Sequence, residues 1–198
     1  MTPDVVLVDG GGTNIGSVRC ALQRLGVDAE LSADAARIGR ATHVILPGVG
    51  AAGPGMARLR AAGLVEPLRA LRQPLLGVCL GMQLLFERSE EADVECLGLM
   101  PGTVRRFAAS DGLRVPHMGW NRLLIERDDA LTGDIGAEPY TYFVHSYAAP
   151  RGDETVASCD YGGAFSAIVR RGNVCGMQFH PERSAAVGAR LLRNFLAL

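Results

Sequence analysis

Residues 74–89 read Pro74-Leu-Leu-Gly-Val-Cys79-Leu-Gly-Met-Gln83-Leu-Leu-Phe-Glu-Arg-Ser89. Leu75–Val78 is a short apolar run of the kind that forms a buried strand, and the stripe Leu80, Leu84 and Leu85 predicts a helix after it. Between them lies Gly77-Val78-Cys79-Leu80-Gly81, a G-x-C-x-G pattern. That spacing fits a nucleophile elbow, where a strand turns abruptly into a helix and the central side chain stands exposed at the bend. A side chain at either glycine would collide as the two elements close up. At a helix N-terminus the sulfur would sit among unpaired N–H groups, which favours the nucleophilic thiolate. The Leu80 N–H would point at an oxyanion formed by its attack. The same five residues also fit a small apolar cysteine in a glycine-flanked turn, so the decision lies elsewhere in the chain.

Upstream of the elbow the pattern alternates. Val5–Val8 reads as a strand, the turn Asp9–Asn14 follows, and Ile15, Val18, Leu22 and Leu25 recur at helical spacing up to Gly26. The glycine run at 10–12 has no G-x-G-x-x-G register, so it reads as a strand-to-helix turn rather than a dinucleotide loop. Val27–Leu31 is a candidate strand, and Ser32 would cap a short helix over 33–41. His43–Leu46 is another strand, leading into Pro47-Gly48-Val49-Gly50, a segment whose free backbone N–H groups could face a ligand. Helical pattern runs from Met56 to Arg72 with interruptions near Gly63 and Pro67. This alternation predicts an α/β fold, a mostly parallel central sheet flanked by helices with its site at the strand C-termini.

After Glu91 the texture changes to strands separated by turns: 102–107, 115–126, 139–148, 155–161, 164–170 and 174–180. The second half should therefore add antiparallel strands. A closing helix over 184–198 carries Val187, Leu191, Leu192, Phe195 and Leu196 on one face. No linker marks a second domain, and 198 residues suit one domain with a substantial core.

Composition narrows the chemistry. A formal net charge of −1 gives no reason to expect a nucleic-acid or anionic-membrane surface. Leu75–Phe86 lacks charge but is too short to span a membrane. The five cysteines are widely spaced with no C-x-x-C pair, so neither a disulfide framework nor a zinc knuckle is indicated, and a cytoplasmic chain with reduced thiols fits best. All 20 Lys+Arg residues are arginine. A Schiff-base lysine or a P-loop lysine is thereby excluded.

A thiolate needs a base, and His180-Pro181-Glu182 follows the strand ending near Phe179. A histidine and a glutamate two apart at a strand end project toward the same side, the imidazole for the proton and the carboxylate to orient it. The same pair would equally serve as a strand cap and the acidic start of the last helix. His117 and His145 are rival bases; His43, at the start of a buried strand, reads as structural.

Taken together, Gly77-Val-Cys79-Leu-Gly-Met-Gln83, Pro47-Gly-Val-Gly50 and Phe179-His180-Pro-Glu182 resemble the class I (triad-type) glutamine amidotransferases. The Asn14 turn, 84–91, Pro116-His-Met-Gly-Trp-Asn121 and Tyr142-Phe-Val-His-Ser-Tyr147 are similar to the branch that feeds ammonia to a cyclase in histidine biosynthesis. The resemblance implies that Cys79 attacks the side-chain amide of L-glutamine, His180 protonates the departing ammonia and Glu182 orients His180. It places the oxyanion hole at Val49 and Leu80, and the glutamine contacts at Gly50, Gln83, Ser146 and Tyr147. It implies a (β/α)8-barrel cyclase as partner in a 1:1 heterodimer, touched by Asn14, Trp120, Tyr142 and Arg183, and no metal or organic cofactor. Another synthase's glutaminase, such as that of pyridoxal phosphate synthase, a stand-alone γ-glutamyl hydrolase, or a binding module with an inert thiol are the competing expectations.

Overall fold

The chain, as a computed structural model, is described over residues 3–10, 15–108 and 113–198. The Asn14 turn lies outside the described residues. The first half runs β1 (Val5–Val8), α1 (Ile15–Arg24), β2 (Glu30–Ser32), α2 (Ala35–Arg40), β3 (His43–Gly48), α3 (Ala52–Ala61), α4 (Val65–Arg69), β4 (Leu75–Cys79) and α5 (Leu80–Gln83). Short strands follow: β5 (Phe86–Ser89), β6 (Val94–Glu95), β7 (Met100–Arg106), β8 (His117–Arg122), β9 (Leu124–Ile125), β10 (Tyr140–His145) and β11 (Tyr147–Ala148). The chain ends with β12 (Thr155–Asp160), β13 (Ala164–Arg171), β14 (Val174–Met177) and α6 (Ala185–Leu196).

An eight-stranded sheet in the order β2-β1-β3-β4-β14-β13-β12-β9 forms the frame. The strands from β2 to β14 are parallel, and β13, β12 and β9 continue the sheet antiparallel. Side chains alternate across it: Val5 and Leu7 face the core shared with Val18, Leu22, Leu191 and Phe195, whereas Val6 and Val8 face the one shared with Ile38, Met56, Leu59 and Leu80. Burial on both faces is why these strands are unbroken apolar runs. A four-stranded sheet, β11-β7-β5-β6, and a two-stranded ribbon, β10-β8, flank this frame.

Three boundaries differ from the expectations. The helix after the elbow is a single turn; the chain then leaves as β5, pairing parallel with β7. Leu84-Leu85-Phe86 is buried throughout, and a short apolar run suits a strand as well as a helix. Helix α3 begins at Ala52 instead of Met56, because proline is tolerated in a first helical turn and the Glu91 carboxylate accepts the Ala52 N–H at 2.7 Å. Asp34, not Ser32, caps α2, accepting the Ala36 N–H at 2.8 Å, while the Ser32 hydroxyl accepts the Asp34 N–H at 3.1 Å.

Strands β3, β4 and β14 are neighbours, with Gly48 opposite Cys79 and Val78 opposite Met177. Their C-terminal ends therefore deliver Val49, Cys79 and His180 to one edge of the sheet.

Candidate active site

The elbow is a steric consequence of its glycines. A Cβ at Gly81 would lie 1.8 Å from the Leu46 carbonyl oxygen, and one at Gly77 would lie 2.6 Å from the Gly81 carbonyl oxygen. Strand and helix thus touch backbone to backbone, and the reversal falls on Cys79, whose φ of 54° and ψ of −113° are costly for any residue with a side chain.

His180 follows β14 by three residues and is held by its backbone: its N–H donates to the Tyr142 carbonyl at 2.9 Å, and its own carbonyl accepts the Ser184 hydroxyl at 2.7 Å. The imidazole Nδ1 lies 3.0 Å from Glu182 Oε1, so Nε2 is the nitrogen available to Cys79. Burial disfavours the imidazolium, but hydrogen bonds to Cys79 and Glu182 and the attraction of both outweigh it and raise His180 to about 10. The Cys79 sulfur is 3.9 Å from the Val144 carbonyl, which could take its proton in the thiol form.

These groups stand at a cavity of about 320 Å³ whose lining includes Val49, Gly50, Cys79, Leu80, Gln83, His180, Ser146 and Tyr147, a size suited to a small molecule. Glu182 stands behind His180, and its side chain is only 1% exposed. The wall also includes His145, one of the rival bases, and Glu91, Pro116 and Val144, which the sequence did not single out as site residues. Glu91 is the informative addition, a carboxylate at the cavity that suits a cationic group. The one signal for it was its place at the end of the 84–91 stretch. Among the described residues no cluster of three or more His, Cys, Asp or Glu side chains could hold a metal ion.

Trp120, Tyr142 and Arg183 lie together outside the cavity. Trp120 and Tyr142 are cross-strand partners with rings edge to face at 5.9 Å, and the Arg183 guanidinium sits 5.4 Å from the centre of the Tyr142 ring. Trp120 is 53% exposed and Met118 63%, so this ribbon turns a large apolar face to solvent. Of the rival bases, His43 opens β3 at the end remote from Gly48 and packs edge-on against Phe195. His117 and His145 bond to each other, Nδ1 to Nε2, at 3.2 Å.

Burial drives His117 down to about 4 and His145 down to about 3. Both are neutral in the fold, so below about pH 6.5 the unfolded chain binds more protons. Their contribution is complete above that pH and is lost as pH falls toward 4 and 3. His180 has the opposite sign: its contribution is complete below about 6.5 and is lost as pH rises toward 10. Denaturant unfolding should therefore show on the order of 2 kcal/mol lost for each of His117 and His145 by pH 5, and none for His180. Proton NMR titration checks the cause directly, since the C2–H signals of His117 and His145 should not move between pH 8 and 5.

The family model for glutamine amidotransferase class-I matches residues 6–198. The subunit HisH of imidazole glycerol phosphate synthase from Xanthomonas axonopodis pv. citri (strain 306) is 63% identical over 195 residues, covering 98% of each chain. The same subunit from Xylella fastidiosa (strain Temecula1) is 59% identical over 195 residues, again covering 98% of each chain. In fold, the chain matches the structure of PurLQS from Thermotoga maritima with a TM-score of 0.72, at 21% identity over 100% of this chain and 99% of that one. The chain belongs to the class I glutamine amidotransferase family, and within it to the family of the HisH subunits. It is thus an enzyme of glutamine-dependent amide nitrogen transfer.

Proposed function

We propose that the chain acts as a single glutaminase domain in which Cys79 attacks the side-chain carboxamide carbon of L-glutamine. The C–N bond breaks, His180 protonates the leaving ammonia, and a γ-glutamyl thioester remains on Cys79. His180 then takes a proton from water, whose oxygen attacks the thioester carbonyl and releases glutamate and the thiol. Glu182 keeps the imidazole oriented throughout. The N–H groups of Val49 and Leu80 serve the oxyanion. Gly50, Gln83, Ser146 and Tyr147 hold the substrate, joined by Glu91 for its α-ammonium group.

The ammonia passes to a (β/α)8-barrel cyclase subunit of imidazole glycerol phosphate synthase, in a 1:1 cytoplasmic heterodimer. There it reacts with a phosphoribulosyl-formimino-carboxamide ribonucleotide to give imidazole glycerol phosphate and aminoimidazole carboxamide ribotide. The exposed ribbon around Trp120, Tyr142 and Arg183, with the Asn14 turn, is the docking face. What carries this reading is the meeting of Cys79 and His180 at one cavity, with Glu182 bonded to His180 behind it, in a chain 63% identical to a HisH subunit. Tyr142 supports the coupling, since its ring belongs to the exposed face while its carbonyl takes the His180 N–H.

Steady-state glutaminase assays test the proposal. Hydrolysis should be slow for the chain alone and faster by on the order of 10²-fold or more with the cyclase and its nucleotide ligand, the worth of one oxyanion donor brought into place. Full activity in isolation would remove the coupling from the reading.

A further inference from the structure

Two histidines that the hydrolysis does not use lie in the middle of a hydrogen-bond chain that can run in only one direction. At its outer end Asn121 Oδ1 accepts the Arg122 N–H at 2.8 Å, and Nδ2 donates to the Asp160 carbonyl at 2.9 Å. These contacts fix which end of the amide is which. The second Nδ2 hydrogen faces His117 Nε2 at 3.4 Å, which makes that nitrogen an acceptor and leaves the ring proton on Nδ1. His117 Nδ1 then donates to His145 Nε2 at 3.2 Å, and His145 Nδ1 donates to the Tyr147 carbonyl at 2.8 Å. A carbonyl only accepts, so the inner end demands the same direction as the outer one. The His117 ring is held between Tyr161 and Phe143, with ring centres 3.9 and 4.9 Å away, and burial keeps both imidazoles neutral.

The Tyr147 carbonyl accepts a second hydrogen bond, from Gln83 Nε2 at 2.8 Å, and Gln83 Nε2 also donates to Gln178 Oε1 at 3.0 Å. With both amide hydrogens engaged, Gln83, which lines the cavity together with Glu91, has only its oxygen left to offer a ligand.

We propose that Asn121 is a positioning residue for the substrate, acting through His117 and His145 to hold the Tyr147 carbonyl where it fixes the Gln83 amide with its oxygen toward the amino acid. This rests on the reading of the cavity as a glutamine site. The relay touches none of the reacting atoms, so its loss should weaken substrate binding more than the chemical step.

With only four histidines in the chain, histidine-selective 15N labelling resolves the tautomers. The full chain without glutamine should show both His117 and His145 as the Nδ1–H form. In Asn121→Asp the carboxylate only accepts, so His117 should switch to Nε2–H or to imidazolium. In the assembled synthase that variant should raise the glutamine KM about fivefold or more and change kcat by less than about twofold. If Asn121→Asp does not fold beside the Asp160 carbonyl, Asn121→Ala should keep His117 in the Nδ1–H form that the Tyr147 carbonyl still demands through His145, and give a smaller KM rise. An Nε2–H form of either histidine in the wild-type chain overturns the relay even where glutaminase activity stands. So does a folded variant whose loss falls on kcat alone. Absence of glutamine turnover in the wild-type synthase overturns the site reading, and with it the substrate role.

Discussion

Replacing Cys79 with alanine is expected to lower glutamine-dependent turnover by about 10⁴-fold or more, because the thioester cannot form without the sulfur. Alanine keeps the Cβ and can adopt the same strained backbone, so the elbow should survive and Tm should move by no more than about 2 °C. Ammonia-dependent cyclisation by the partner should stay within about twofold of wild type, since the proposal assigns that chemistry to the barrel. No other thiol is placed to substitute. Cys20 is exposed on α1 and does not line the cavity; Cys96, Cys159 and Cys175 are buried, none lines the cavity, and burial pushes their thiols up to about 11, 12 and 12. An alkylating glutamine analogue should therefore label the wild-type chain at Cys79 and leave the alanine variant unlabelled. Glutamine turnover persisting in that variant would eliminate the thioester route.

The features legible in the sequence were those set by local sterics. Gly77 and Gly81 announce the elbow because nothing larger fits where α5 and β3 touch, and the apolar runs of β1, β3 and β4 announce strands buried on both faces. His180 and Glu182 were legible as a pair because two residues at a strand end fix their relation. Less legible were features created by pairing between distant segments. The expected strand over 115–126 is β8 followed by the separate β9, which joins a different sheet. Leu123, the residue between them, is buried as the chain changes sheets.

The two rival histidines show the same limit. His117 and His145 sit opposite each other because β8 and β10 pair in the register His145 to His117, and neither neighbourhood in the sequence encodes that register. Cross-strand pairs share a face, so this register puts His117, Asn121, Phe143 and His145 inward and Met118, Trp120 and Tyr142 outward. One ribbon thereby carries both a buried polar relay and an exposed aromatic face. Glu91 was missed for a related reason. It reaches the cavity only because the chain leaves α5 as a strand, whereas the expected longer helix would have carried it elsewhere.

Among the described glycines, Gly81→Ala is expected to be the most damaging single-methyl change. The added Cβ would meet the Leu46 carbonyl oxygen at 1.8 Å and the carbonyl carbon at 2.8 Å, both of them backbone in the middle of the sheet. Neither β3 nor α5 can yield without moving the other's partners, because Gly48 is paired with Cys79 two residues beyond Leu46. Relief must therefore displace either the sulfur or the Gly48–Gly50 segment that faces it. A stability loss of about 3–5 kcal/mol is expected, the range of severe overpacking. For a chain of this size that corresponds to a Tm lower by roughly 10 °C. Glutaminase should fall with it, by more than the folded fraction explains, since the proposed oxyanion donors and the proposed nucleophile would no longer be in register. Gly16→Ala is the matched control: it lies in α1, a Cβ there meets nothing within 4 Å, and alanine is the better helix former. That variant should match or exceed wild-type stability by about 0.5–1 kcal/mol and retain full turnover. Equal Tm values for the two variants would show that strand and helix do not make the backbone contact on which the sharp bend at Cys79 depends.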